Sequence, residues 1–250
     1  MLKISYVNKV FNAGTVNEKI ALRNVNLHVK RGEFITVIGS NGAGKSTMMN
    51  MISGGLFPDS GTITIDGQDV TRLGEHQRAE LIGRVFQDPM AGTAPNMTIE
   101  ENLAIALGRG RRRTLGFGVN NHKRELFREQ LKQLDQGLEN RLKTKVGFLS
   151  GGQRQRAWIA MTLAQGTDTI LLDEPTTYLD MSHQIEILDL LYELNETEQR
   201  TIVMVLHDLN LACRYAHHIV AVHNQTVVAE GAPEDILTTD LVRTVFDMDC

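Results

Sequence analysis

Three observations predict an α/β fold for this chain of 250 residues. A glycine-rich loop, Gly39-Ser40-Asn41-Gly42-Ala43-Gly44-Lys45-Ser46-Thr47, follows the apolar run Phe34–Ile38. It precedes a helix-competent stretch carrying Met48, Met49, Met51 and Ile52. Strands and helices alternate in both outer parts of the chain, the pattern of a sheet covered by helices. Between them, from Asp88 to Phe148, apolar residues recur at helical spacing. We therefore expect one domain over 1–250, with a core of 1–87 and 165–250 and a mostly helical subdomain over 88–164.

The elements follow in order. Leu2–Phe11 and Lys19–Val29 alternate as strands do. Lys30-Arg31-Gly32-Glu33 turns into the strand before the glycine loop. Pro58-Asp59-Ser60-Gly61 is a turn, and Thr62–Ile65 a short strand ended by Asp66-Gly67. Leu81–Phe86 is a further strand. Thr98 with Glu101 forms a helix-start signature. Leu126, Phe127, Leu131 and Leu134 mark a helix over His122–Leu134. Gln153–Ala164 and Ser182–Leu194 are expected helices. Thr169–Leu172, Thr201–Leu206 and Ile219–Val222 are expected strands, and Asn224-Gln225 turns into Thr226–Ala229. Pro233 and Glu234 open a closing helical segment.

Hydrophobic residues make up 42% of the chain and charged residues 22%, enough to bury a core without disulfides. The net charge of −4 argues against a nucleic-acid surface. Cys213 and Cys250 lie in no metal spacing; Cys213 is read as a packed thiol and Cys250 as a tail residue. The start is no signal peptide, and no apolar run approaches the ~20 residues that cross a bilayer. A cytosolic protein follows, with any membrane role exercised through a partner. Arg109-Gly110-Arg111-Arg112-Arg113 is read as a solvated loop; contact with anionic lipid is the sharper alternative.

Residues 39–47 match the phosphate-loop pattern G-x-x-x-x-G-K-[ST]. Gly39, Gly42 and Gly44 let the backbone curl so that several N–H groups converge on one anion. The following helix adds the positive end of its dipole. Lys45 supplies a point charge for outer phosphates, and Ser46 a hydroxyl for Mg²⁺. Ile170-Leu171-Leu172-Asp173-Glu174 is an apolar strand delivering two carboxylates at the sheet's carboxyl edge. Asp173 is placed to hold Mg²⁺, and Glu174 to polarise a water as general base. Leu149-Ser150-Gly151-Gly152-Gln153 enters a helix and makes a second anion-binding end. One nucleotide does not need two such ends from one chain, so this end is expected to serve another subunit.

With these residues the sequence resembles the ATP-binding-cassette family of ATPases over essentially its whole length. Gly39–Thr47 resembles its Walker A loop, Ile170–Glu174 its Walker B strand and Leu149–Gln153 its signature motif. Gln87 is similar to the family's Q-loop residue, which touches the metal and the attacking water. Thr177-Tyr178-Leu179-Asp180 resembles the D-loop, with Tyr178 bulkier than usual. His207 resembles the switch histidine. Phe11 stands where the family stacks an aromatic on adenine, with Tyr6 nearby as a competing aromatic. The resemblance implies a P-loop NTPase core with an N-terminal antiparallel β subdomain, ATP and Mg²⁺ as cofactors, and ATP hydrolysis. It also implies a head-to-tail homodimer. Lys45, Ser46, Gln87, Asp173, Glu174 and His207 of one chain would face Ser150, Gly151, Gly152 and Gln153 of the other. A separate integral membrane permease and an extracytoplasmic solute-binding protein would complete a bacterial importer, with this chain at the inner face of the membrane.

Subfamily features divide. From about Leu149 onward the chain resembles iron–siderophore and cobalamin importer ATPases. Asp88–Asn102 resembles ATPases of amino-acid-type small-solute importers, which raises a recombinant or engineered chimera without a native permease. A soluble cassette protein acting on nucleic acid or protein complexes is the alternative; such proteins carry a coiled coil or two cassettes, and this chain has neither. His217 and His218 are read as structural, Trp158 as packing, and Met48, Met49 and Met51 as core filler.

Overall fold

In the computed structural model, which describes residues 1–86, 88, 92–109, 118–134, 137–177 and 179–246, the chain opens with strands β1 (Leu2–Phe11), β2 (Lys19–Val29) and β3 (Phe34–Ile38). Helix α1 (Lys45–Ser53) follows, then β4 (Ser60–Ile65), β5 (Gln68–Asp69), α2 (Glu75–Arg78) and β6 (Ile82–Val85). Helices α3 (Ile99–Leu107), α4 (Asn121–Gln133) and α5 (Gly151–Ala164) come next. The closing part is β7 (Thr169–Asp173), α6 (Met181–Glu198), β8 (Thr201–Val205), α7 (Leu209–Tyr215), β9 (His218–His223), β10 (Thr226–Gly231), α8 (Pro233–Ile236) and α9 (Thr239–Phe246).

Two sheets result. One is four-stranded and antiparallel, in the order β2-β1-β4-β5. The other is six-stranded, in the order β10-β9-β3-β8-β7-β6, parallel except for β10. Every residue of β3, β7 and β8 is buried, because helices or the other sheet cover both faces. Alternation then sorts the side chains. Phe34, Ile38, Ile170, Leu172, Ile202 and Met204 join one apolar cluster, which continues through Leu103, Phe127 and Trp158 of α3, α4 and α5. Ile35, Val37, Leu171, Val203 and Val205 join a second, with Met48, Met49 and Met51 of α1 and Leu2, Ile4 and Leu27 of the antiparallel sheet. Each such buried side chain contributes about 1.5–3 kcal/mol.

Local signals account for the ends. The Thr98 hydroxyl accepts the Glu101 N–H at 3.3 Å, and the Glu101 carboxylate accepts the Thr98 N–H at 2.7 Å. Asn224 and Gln225 both take positive φ, as a tight hairpin between β9 and β10 requires.

Some expectations are corrected. The helix expected from Gln153 begins at Gly151, because Ser150 caps it. Cys213 is exposed, not packed. It lies on α7, which the sequence reading passed over; Leu211, Ala212 and Tyr215 face inward and leave position 213 outside. Gln87, Tyr178, Cys250 and most of the arginine cluster, 110–113, lie outside the described residues.

Candidate functional site

β3, β7 and β8 end side by side, with Val37 beside Val205 and Asp173 beside Val205. The loops that follow bring the candidate residues to one edge. Gly39 takes φ +152, and a Cβ there would lie 2.2 Å from the Val222 carbonyl oxygen of β9. Gly44 takes φ +113, and its Cβ would lie 2.7 Å from the Ala21 carbonyl oxygen of β2. Glycine is obligatory at both positions for that reason. The rear of the loop is tied down further: the Gln225 N–H donates to the Ala43 carbonyl at 3.1 Å, and the Gln225 carbonyl accepts the Arg23 N–H at 2.7 Å.

Gly44 is the cap of α1 and has no side chain to occupy the helix's first N–H groups. Those groups have no acceptor within the helix. Lys45 is buried and folds back, donating from Nζ to the Gly39 carbonyl at 2.8 Å and the Ser40 carbonyl at 3.0 Å. Burial pushes its pKa down, opposed by the charges of Glu174 and Asp173.

Ser46 Oγ lies 3.5 Å from Asp173 Oδ1, long for an O–H···O bond. Asp173 is 7% exposed. Burial pushes its carboxyl up; the Arg84 guanidinium opposes that, Glu174 adds to it, and Ser46 and Lys45 pull it back.

Glu174 takes φ +51, a left-handed conformation unusual for its type and a mark of strain held by its surroundings. Its Oε1 lies 2.6 Å from Nε2 of His207, and its Oε2 accepts the Thr177 hydroxyl at 3.2 Å. Phe11, Asn41, Gly42, Gly44, Lys45, Ser46, Thr47 and Glu174 line one cavity of about 160 Å³. Phe11 is half-buried there, whereas Tyr6 lines no part of the cavity and is 67% exposed.

Ser150, Gly151, Gly152 and Gln153 line no part of this cavity. They sit at the start of α5, where the Ser150 hydroxyl accepts the Gln153 N–H and the Gln153 side-chain oxygen accepts the Ser150 N–H, both at 3.3 Å. A Cβ on Gly151 would meet open space.

Sequence reasoning missed Lys19 and Ala21 at this edge and the Asn50 and Arg84 side chains behind it, and it named Thr177 only within the D-loop resemblance, not for its bond to Glu174. Arg84 did leave a signal, a lone charge inside an apolar strand. Of the two histidines read as structural, His217 makes such a bond: its Nδ1 accepts the Phe34 N–H at 3.3 Å.

A family model described as ABC transporter matches residues 22–177. The chain belongs to the ABC transporter family. It is an ABC-type ATPase, with the P-loop NTPase fold of that family and an antiparallel N-terminal sheet. It is 48% identical over 233 residues to the petrobactin import ATP-binding protein FpuD of Bacillus anthracis, covering 93% of this chain and 83% of that one. It is 44% identical over 227 residues to the achromobactin transport ATP-binding protein CbrD of Dickeya dadantii (strain 3937), covering 91% and 82%. A tyrosine transport ATP-binding protein of Clostridioides difficile (strain R20291) is 36% identical over 249 residues, covering 99% of each. Among solved structures, a dimeric ATP-binding cassette in a post-hydrolysis state with ADP and Pi superposes with a TM-score of 0.82. The two are 35% identical, over 93% of this chain and 99% of that one.

Proposed function

We propose that this chain is the ATP-hydrolysing subunit of a bacterial importer and that two copies close head to tail over two ATP molecules. One observation carries the reading: the phosphate loop, Asp173, Glu174 and His207 meet at one edge, while Ser150–Gln153 stand apart with their helix start facing outward. A cavity of about 160 Å³ is too small to enclose a nucleotide, since small-molecule sites run to roughly 300–1,000 Å³. A second copy's Ser150, Gly151, Gly152 and Gln153 would complete it.

Within each half-site the loop N–H groups of Gly39–Thr47 and the Lys45 ammonium bind the phosphates, and Phe11 stacks on the base. The residues present fit magnesium. Ser46 and Asp173 offer two hard oxygens side by side, and a buried carboxylate gains from a cation. Among the described residues no cluster of three or more acidic, histidine or cysteine side chains is built for a metal. That suits an ion which takes most of its ligands from phosphates and water. Magnesium, when bound, would neutralise phosphate charge. Gln87, for which the family resemblance implies a role toward the metal, lies outside the described residues. Glu174 accepts a proton from the attacking water, and His207 fixes the carboxylate's direction across their 2.6 Å contact.

Among the described residues no helix is long and apolar enough to cross a membrane. We propose that the permease is a separate chain and that this one binds at the inner, cytoplasmic face, as the import and transport ATP-binding relatives suggest. The helical subdomain, 88–164, meets it. A cleft of about 810 Å³ between α2, α3 and α5, lined by Ala79, Gly92, Ile105 and Met161, is the docking place for a permease helix. An iron–siderophore cargo, delivered by a solute-binding protein, follows from the petrobactin and achromobactin relatives; an amino acid is the second reading, from the tyrosine relative. Both likenesses run across more than nine-tenths of the chain.

Replacing Glu174 with Gln tests the dimer. Turnover should fall about 10²–10⁴-fold while ATP binding persists. Light scattering should then show a dimer that forms only with ATP. An ATP-loaded monomer would overturn the proposal.

A further inference from the structure

Arg84 is a charged side chain in a strand that is otherwise apolar, and only 7% of it is exposed. From β6 it reaches α1 with both arms. Nη1 donates to the Ser53 hydroxyl and Nη2 to the Asn50 side-chain oxygen, each at 2.7 Å. The guanidinium also lies 4.2 Å from the centre of the Phe86 ring, and Glu75 stands 4.0 Å away. Asn50 passes the contact on, donating from Nδ2 to the Ser46 carbonyl at 2.7 Å. Gly55 closes the space behind: its Cβ would lie 3.5 Å from Asn50 Oδ1 and 3.6 Å from Arg84 Nη1.

Positions 50 and 53 are neighbours on one helix face, and a planar fork can serve both at once. Lysine, with a single ammonium, cannot hold two acceptors in that fixed geometry. Arg78 makes a useful contrast. It also grips α1, but its bonds there go to the main-chain carbonyls of Met51 and Ile52, at 2.6 and 2.8 Å, so it closes the helix end.

We propose that Arg84 is a positioning residue for the magnesium side of the site. Through Asn50 it fixes the rotation of the first turn of α1 and so aims the Ser46 hydroxyl toward Asp173. The proposal rests on the assignment of Ser46 and Asp173 to that side.

The test measures ADP affinity by calorimetry on the full chain, once with EDTA and once with Mg²⁺. ADP is not turned over, so the readout is independent of activity. Asn50→Ala and Arg84→Lys should keep metal-free affinity within about twofold of the parent. Their Mg²⁺-dependent gain should fall about tenfold, the scale of lost support behind a metal ligand. The double variant should lose no more than either single one, because both act through one chain of contacts. A merely structural role would lower both affinities together, and that result overturns the proposal. Full Mg²⁺ gain in Asn50→Ala and Arg84→Lys, with loss in Ser46→Ala, overturns the role of Arg84 alone. Full gain in Ser46→Ala as well overturns the assignment of the magnesium side. Should Arg84→Lys not fold, Asn50→Ala decides, since its side chain is only half-buried.

Discussion

The phosphate loop and the Ser150–Gln153 segment are both glycine-bearing helix starts, yet the protein builds them differently. At the loop, backbone from β2, β9 and the β9–β10 turn presses in until no Cβ fits at Gly39 or Gly44. At the start of α5, a Cβ on Gly151 would meet open space and one on Gly152 only the Leu179 side chain, and the cap pairs Ser150 with Gln153, whose side-chain oxygen also accepts from Arg141. The first is finished inside one chain; the second is presented. In the proposed dimer, a difference of this kind marks which half of the site is built before assembly and which half is left free to meet a neighbour.

Gly39→Ala probes the finished half and should have the largest effect. With a carbonyl oxygen 2.2 Å from the new methyl, the loop must shift, at a cost of roughly 3 kcal/mol in urea unfolding, and nucleotide binding should be lost with it. Normal binding would show that the loop is not held by β9. Gly151→Ala is the counterpart. Stability should change by no more than about 0.5 kcal/mol, since the methyl meets nothing and the helix tolerates it. The ATP-dependent dimer of the Glu174→Gln protein should nevertheless weaken, as sedimentation would show; an unchanged dimer breaks the comparison.

Ser150→Ala removes the cap of α5 and should cost about 1 kcal/mol of stability by the same unfolding assay. The smallest effect concerns Asp180, which caps α6 behind the presented helix; Leu179 beside it would lie 3.2 Å from a Cβ on Gly152. The His183 backbone N–H and ring, and then the Ser182 hydroxyl, hold the Asp180 carboxyl down to about 2. A carboxylate lowered on folding contributes stability above its ordinary value near 3.8 and loses it as pH falls toward about 2. The stability gap between the parent and Asp180→Asn, followed by urea unfolding, should therefore close across that window.

The sequence was most legible where backbone geometry demands a residue type. Glycines at 39, 42 and 44 and the Thr98–Glu101 pair each betray a local conformation, so loop, strand and helix could be read without neighbours. Apolar runs likewise announced β3, β7 and β8, which are buried on both faces. What stayed hidden depends on distant partners. The left-handed backbone of Glu174 has no signature in its residue type. Arg84 acquires meaning only when β6 is laid beside α1. Cys213 looked packable in an apolar stretch, but the short α7 turns it outward.

The clamp of Gln225 on Ala43 and Arg23 has a consequence for synthesis. The loop leaves the ribosome well before the hairpin that braces it, since about 170 residues separate them. A nascent chain stopped before β9 would carry the full phosphate-loop motif and still lack the brace that shapes it. A copy truncated before β9 should therefore bind nucleotide poorly and fail to enter the proposed dimer.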